Sequence, residues 1–183
     1  MKQELDSLYT LSIVTENESS ALVRLTMTLA RHRLRVESLT STCDESGGIC
    51  RHIVSVQAVP DRVRRAMKQI SACVGVLVAD YYGDGETVDR EVALFKLDLS
   101  RIGGEESLRE LARTRRARVV IRGKDYVIIE KTGCGREIRD LHDALQPFGV
   151  MEFVRSGRVM VTKAGSAELG EVRTLSGKLE NGG

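Results

Sequence analysis

The 183-residue sequence predicts an α+β fold made of two βαββαβ units in tandem. Three observations carry that reading. Short segments in which apolar residues alternate are interleaved with segments in which they recur every three to four positions, the signatures of half-buried strands and amphipathic helices. The order of these segments runs through once, is broken by Gly83-Asp84-Gly85-Glu86, and starts again in a different sequence. A hydrophobic fraction of 42% with 30% charged residues is that of an ordinary globular protein.

The first strand is expected over 9–15, with Tyr9, Leu11 and Ile13 toward a core and Thr10, Ser12 and Val14 on the other face. It enters a polar corner, residues 15–20, from which a helix leaves at once. Leu22, Leu25 and Leu29 fall at spacings of three and four and are expected to stripe that helix against the sheet. A helix start presents unpaired N–H groups and partial positive charge, which suits a carboxylate or phosphate. On chemistry alone the favoured account of the corner is that Asn17 or Ser19 caps the helix with its own side chain. Residues 36–43 read as a strand, 44–48 as a turn, and 50–59 as the returning strand with Val54, Val56 and Ala58 inward. Pro60 ends it, Asp61 is expected to cap the next helix, and Val63, Ala66, Met67 and Ile70 give that helix its apolar stripe. Residues 74–82 close the unit as a strand.

In the second unit a long strand is expected over 88–99, burying Val92, Leu94 and Phe95. Leu108, Leu111 and Ala112 stripe a helix after Gly103-Gly104. Strands over 119–121 and 126–129 pair across the polar turn 122–125. Gly133 and Gly135 break the chain before a helix carrying Ile138, Leu141 and Leu145 on one face and stopping before Pro147. Strands over 151–154 and 158–161 flank Ser156-Gly157. The domain boundaries expected from this order are 1–82, a linker over 83–87, a second domain over 88–163, and a disordered tail over 164–183, which is rich in Gly, Ser and Glu.

Composition narrows function. No apolar run is long enough to span a bilayer, and the polar N-terminus, Met1-Lys2-Gln3-Glu4-Leu5-Asp6, lacks a signal-peptide core, so a cytoplasmic location and no membrane partner are expected. Cys43, Cys50, Cys73 and Cys134 lack metal-type spacing and are expected to be thiols that serve packing. A net charge of +2 does not demand nucleic acid, and the basic cluster over 109–122 reads as a solvated helix face. The topology is shared with RNA-recognition modules, but those stack bases on strand aromatics, and residues 50–59 contain none; no nucleic-acid partner is expected. His32, His52 and His142 form no metal motif, and neither a nucleophile elbow nor a phosphate loop is present. No catalytic and no metal-binding residues are therefore expected. His142 with Asp140 and Asp143 is the alternative acid–base set, on a mostly solvated helix side.

Thr15-Glu16-Asn17-Glu18-Ser19-Ser20-Ala21-Leu22, followed by Val36-Glu37-Ser38-Leu39-Thr40, resembles the ACT domain of acetolactate synthase (acetohydroxyacid synthase) small subunits. Val88-Asp89-Arg90-Glu91-Val92-Ala93-Leu94-Phe95-Lys96 resembles the start of that family's second domain and Glu152-Phe153-Val154-Arg155-Ser156-Gly157 its end. The resemblance spans roughly residues 8–163. It implies two ferredoxin-like domains, an N-terminal ACT domain and an ACT-like C-terminal one, in a regulatory subunit that does no chemistry and carries no cofactor. The implied partner is a catalytic subunit using thiamine diphosphate, Mg2+ and FAD, which condenses pyruvate with pyruvate or 2-oxobutyrate on the way to valine, leucine and isoleucine. It also implies a homodimer through the ACT domains, with valine bound at the interface as feedback inhibitor. A free-standing amino-acid sensor is the alternative for the same corner.

On that reading the ligand's carboxylate meets the N–H groups of Ser20, Ala21 and Leu22, Asn17 offers its amide, and the partner chain supplies Arg35 and Val36. Two positions depart from the family pattern: Ser20 stands where glycine is usual, and Arg35 where asparagine is usual. Ser20 adds a Cβ and hydroxyl at the carboxylate, and the Arg35 guanidinium either clamps a carboxylate or pairs with an acid and fills the pocket. Valine feedback is therefore expected to be weak or altered.

Overall fold

The computed structural model describes residues 7–44 and 48–163. The expected tail over 164–183, the N-terminal hexapeptide and the middle of the turn at 45–47 lie outside the described residues. The described residues divide into two compact units, one built on those up to Val88 together with 160–163, the other spanning Asp89–Val159.

The first unit holds β1 (Ser7–Glu16), α1 (Ala21–Arg31), β2 (Arg35–Cys43), β3 (Ile49–Ala58), α2 (Pro60–Ser71) and β4 (Val76–Tyr82). Its sheet is antiparallel in the order β2-β3-β1-β4. Period-two alternation places Leu11 and Ile13 of β1 with Val54 and Val56 of β3, against Leu25 and Leu29 of α1 and Val63, Ala66, Met67 and Ile70 of α2, in one fully buried core. The opposite face of β1 is buried as well, Thr10, Ser12 and Val14 each being at most 5% exposed. Val14 packs there in a small second cluster with Ile49, Leu77 and Val78.

Two local expectations are corrected. Leu22 is 37% exposed and falls off the α1 stripe, whose buried members are Ala21, Leu25, Thr28 and Leu29. Asp61 does not cap α2; Val59 does, with Pro60 as the first helical residue. Proline lacks the N–H that a first turn leaves unpaired and has the helical φ built in, so it starts this helix as well as ending the strand. Asp61 instead sits in the first turn and pairs with Arg64 at 2.9 Å.

The order is repeated with β5 (Thr87–Asp98), α3 (Glu105–Thr114), β6 (Arg118–Arg122), β7 (Tyr126–Gly133), α4 (Gly135–Leu145) and β8 (Val150–Arg155), which make up the second unit apart from the first two residues of β5, and β9 (Val159–Thr162) follows, all but its first residue falling in the first unit. The sheet order is β6-β7-β5-β8, and β9 pairs with β5. The buried residues of β5 are Glu91, Ala93, Phe95 and Leu97; Val92 and Leu94 are 41% and 43% exposed. The expectation that Val92 and Leu94 are buried is thus wrong by one position, and a one-residue slip in a strand exchanges its two faces. The core of this unit joins Phe95, Leu97, Val127 and Ile129 with Ile138, Leu141 and Leu145 of α4 and Leu108 of α3.

One cysteine expectation also fails. Cys43 and Cys50 are directly opposed across β2 and β3 and are joined by a disulfide. A hairpin brings positions seven apart in sequence face to face, so no metal-type spacing is needed to unite them. Cys73 and Cys134 are free.

Candidate functional site

The corner between β1 and α1 is held from below by two backbone bonds. The Glu16 N–H donates to the Gly75 carbonyl at 2.8 Å, and the Asn17 N–H donates to the Gly48 carbonyl at 3.2 Å. Gly75 has φ of +80°, a left-handed conformation that a side chain would strain. A Cβ there would also lie 3.3 Å from Arg24 Nη2.

The N-cap of α1 is Ser20, with helical dihedrals and no side-chain capping bond, so neither Asn17 nor Ser19 caps it. The Ala21 N–H donates to the Glu18 carbonyl at 3.0 Å and is not available to a ligand, contrary to expectation. The N–H groups of Ser20 and Leu22 find no acceptor among the described residues.

Arg24 was not singled out by the sequence. Its Nη1 donates to the Ser20 hydroxyl at 2.6 Å, and its Nη2 donates to Glu18 Oε2 at 2.8 Å and to the Val74 carbonyl at 3.0 Å. Helical geometry brings positions 20 and 24 onto one face, and that spacing was the available signal. The hydrogen bond and the charge of Arg24 hold the Glu18 carboxyl below its ordinary value. The corner therefore presents a cation, a carboxylate and two free amides within one helical turn.

Asn17 turns the other way. Its Oδ1 stands 3.3 Å from Cys50 Sγ and 3.8 Å from Cys43 Sγ. Behind it, His52 is buried and its Nε2 lies 3.0 Å from Thr15 Oγ1. Burial pushes the His52 imidazole below its ordinary value of 6.5. A histidine whose folded pKa is depressed binds its proton more readily when unfolded. The stability it confers is complete above about pH 6.5 and is lost as the pH falls through the interval down to the folded value. The lowered carboxylates Glu18 and Glu137 act only below their ordinary 4.5. Urea midpoints measured at about pH 7.5 and about pH 5.5 are expected to fall in the native chain and to fall less in His52→Gln. Equal slopes in the two proteins would show that His52 is not the group responsible.

The six expected ligand residues do not all meet within one chain. Asn17, Ser20, Ala21 and Leu22 share the corner. Arg35 and Val36 begin β2 at the far end of the sheet, since Arg35 pairs with Gln57 and Gln57 with Leu8, whereas the corner follows Glu16. The eight steps from Leu8 to Glu16 make that separation roughly 26 Å at the usual strand rise. Leu22, Val23 and Met27 leave apolar surface on α1, at 37%, 56% and 61% exposure.

In the second unit His142 Nδ1 lies 3.3 Å from Asp143 Oδ1, at the surface. Among the described residues no group of three or more His, Cys, Asp or Glu is placed to hold a metal ion. No helix among them is long and apolar enough to cross a membrane.

Residues 90–164 match the family model described as the small subunit of acetolactate synthase. The acetolactate synthase small subunit of Mycobacterium leprae is 28% identical over 165 residues, covering 90% of this chain and 96% of its own. That of Bacillus subtilis is 27% identical over 169 residues, covering 91% and 96%. The chain is similar to acetolactate synthase small subunits over nine-tenths of its length. The crystal structure of the small subunit from Thermotoga maritima superposes with a TM-score of 0.76 at 20% identity, covering 87% of this chain and 99% of that one. The two βαββαβ units thus share the fold of that small subunit.

Proposed function

We propose that the chain is the non-catalytic regulatory subunit of an acetolactate synthase, working in the cytoplasm. It activates a separate catalytic subunit that carries thiamine diphosphate, Mg2+ and FAD and that makes the acetohydroxyacid precursors of valine, leucine and isoleucine. The observation that carries this reading is likeness to named small subunits over nine-tenths of the chain, across both units.

The corner suits an amino acid as effector. A zwitterion needs an acceptor for its ammonium and donors for its carboxylate, and Glu18 faces Arg24 beside the free amides of Ser20 and Leu22. The 26 Å gap to Arg35 and Val36 is closed by a second copy rather than by this chain. β2 is an edge strand, and antiparallel pairing of two β2 edges about a two-fold axis carries Arg35 and Val36 of each copy to the corner end of the other. Exposed Leu22, Val23 and Met27 then border the shared site. Ligand binding and dimer geometry are linked in such an arrangement, which is what an allosteric subunit requires.

Arg24 and Ser20 already satisfy one another at this corner, and the effector must displace or join that pair. Valine inhibition is accordingly expected to be weak. Reconstitution with a catalytic subunit, assayed with and without valine, tests the reading. Activity is expected to rise several-fold on adding this chain and to respond little to valine, and the Ser20→Gly, Arg35→Asn double substitution is expected to strengthen the valine response. No rise in activity would overturn the regulatory role, and full inhibition at micromolar valine would overturn the weakened feedback.

A further inference from the structure

We infer that Cys43 and Cys50 form a reversible dithiol–disulfide modification site whose state is read by Asn17. The two cysteines are cross-strand partners at the end of the β2–β3 hairpin, so a bridge between them forms or opens without moving either strand. Cys43 is exposed and Cys50 is 4% exposed. An exposed sulfur beside a shielded one is the arrangement that exchanges with small thiols, because attack needs access and resolution needs only proximity. The bridge closes a short loop, with a sequence separation of seven, and so restrains little chain entropy compared with one closing a long loop. In a reducing compartment a disulfide of this kind serves redox sensing more often than structure.

The step balances with a low-molecular-weight disulfide such as oxidised glutathione. The Cys43 thiolate attacks one of its sulfurs and a first glutathione leaves; the Cys50 thiolate then attacks the Cys43 sulfur of the mixed disulfide and the second glutathione leaves. One S–S bond is broken and one is formed, two protons pass to the glutathione thiols, and two electrons leave the protein.

Asn17 registers the difference. Asn17 Oδ1 stands 3.3 Å from Cys50 Sγ in the bridged form; on reduction that sulfur gains a proton, which donates to Oδ1 and holds the side chain against the hairpin. In the disulfide form neither sulfur carries a proton, so the Asn17 side chain lies beside the bridge without a hydrogen bond to it and is held less firmly next to the corner that its own backbone N–H helps to close. The consequence for an effector rests on the corner reading proposed above; the redox couple itself does not.

The full chain is incubated in glutathione buffers of graded oxidised-to-reduced ratio, quenched by alkylation and mapped by peptide mass spectrometry. In parallel the Asn17 side-chain amide is followed by NMR, assigned by its loss in Asn17→Asp. Cys43 and Cys50 are expected to pass together from alkylated to protected while Cys73 and Cys134 stay alkylated, and the Asn17 signals are expected to shift with the same midpoint. In Cys43→Ser the Asn17 signals are expected to stay at the reduced position at every ratio. A pair that remains alkylated in fully oxidised buffer, that remains bridged in fully reduced buffer, or that changes state without moving Asn17 overturns the inference. Valine titrated calorimetrically into each form is expected to differ in affinity several-fold. Equal affinity removes the effector consequence, and absence of binding in both forms counts against the corner reading alone.

Discussion

Replacing Glu91 with alanine is expected to destabilise the second unit by roughly 3–5 kcal/mol, the range for removing one partner of a buried ion pair. Glu91 is 1% exposed at the start of the β5 core face. Its Oε1 accepts from Arg158 Nε at 2.9 Å, and its Oε2 lies 3.1 Å from Arg155 Nε. Arg158 is itself 6% exposed, and the other carboxylate near its Nε is Asp89, at 3.8 Å. Without Glu91 a buried guanidinium keeps only that longer contact, and the desolvation it suffered is no longer repaid. The cluster also explains Gly135, since a Cβ there would lie 3.1 Å from Arg158 Nη2 and 3.2 Å from Glu91 Oε1. Urea denaturation followed by circular dichroism measures the loss. If the buried charges are the cause, Glu91→Leu combined with Arg158→Leu recovers much of it, because a buried pair replaced by apolar groups leaves no orphan. A loss below about 1 kcal/mol in the single variant would show that solvent reaches the cluster.

Phe95→Ala is expected to cost about 3–5 kcal/mol, while Leu94→Ala, one residue away on the same strand, costs under about 1 kcal/mol. Phe95 is fully buried and its ring stacks on Phe153 at a centroid distance of 4.8 Å. Leu94 points to the other face and is 43% exposed, so truncating it leaves no closed cavity. The contrast tests the strand register directly. Comparable losses at the two positions would mean that both faces of β5 are equally covered in solution.

The register of β5 shows where a sequence reading fails. Hydrophobicity marks Val92 and Leu94 as inward, because the alternative face begins with Glu91, a residue type that is rarely buried. Glu91 is buried because Arg155 and Arg158 meet it there, more than sixty positions away in the chain. No local pattern records that partnership. In α2, by contrast, the expected stripe is the buried set one for one, and in α4 all three expected residues are buried, with Gly135 beside them, since those faces are apolar and the helical period alone orients them.

The candidate corner was legible in outline and not in its contacts. A strand entering a polar turn and leaving as a helix predicts free amides, and the Ser20 and Leu22 N–H groups have no acceptor among the described residues. The capture of the Ala21 amide by the Glu18 carbonyl and the insertion of Arg24 depend on how tightly the turn closes. That closure is set by Gly75 and Val74, which arrive from the other half of the unit. The Cys43–Cys50 bridge was missed for a related reason: cross-strand opposition is a property of register, which composition does not contain.

By itself, then, the sequence determined the order βαββαβ twice over, the inward faces of α2 and α4 and the likeness to acetolactate synthase small subunits, because these follow from periodicity and from short motifs that each lie within a few residues. Tertiary structure alone decided which face of β5 is core, what fills the corner, which cysteines meet, and that Arg35 and Val36 lie a sheet's length from Asn17. Each of those depends on residues brought together across strands, and a buried charge or a cross-strand pair carries no signal until its partner is in place.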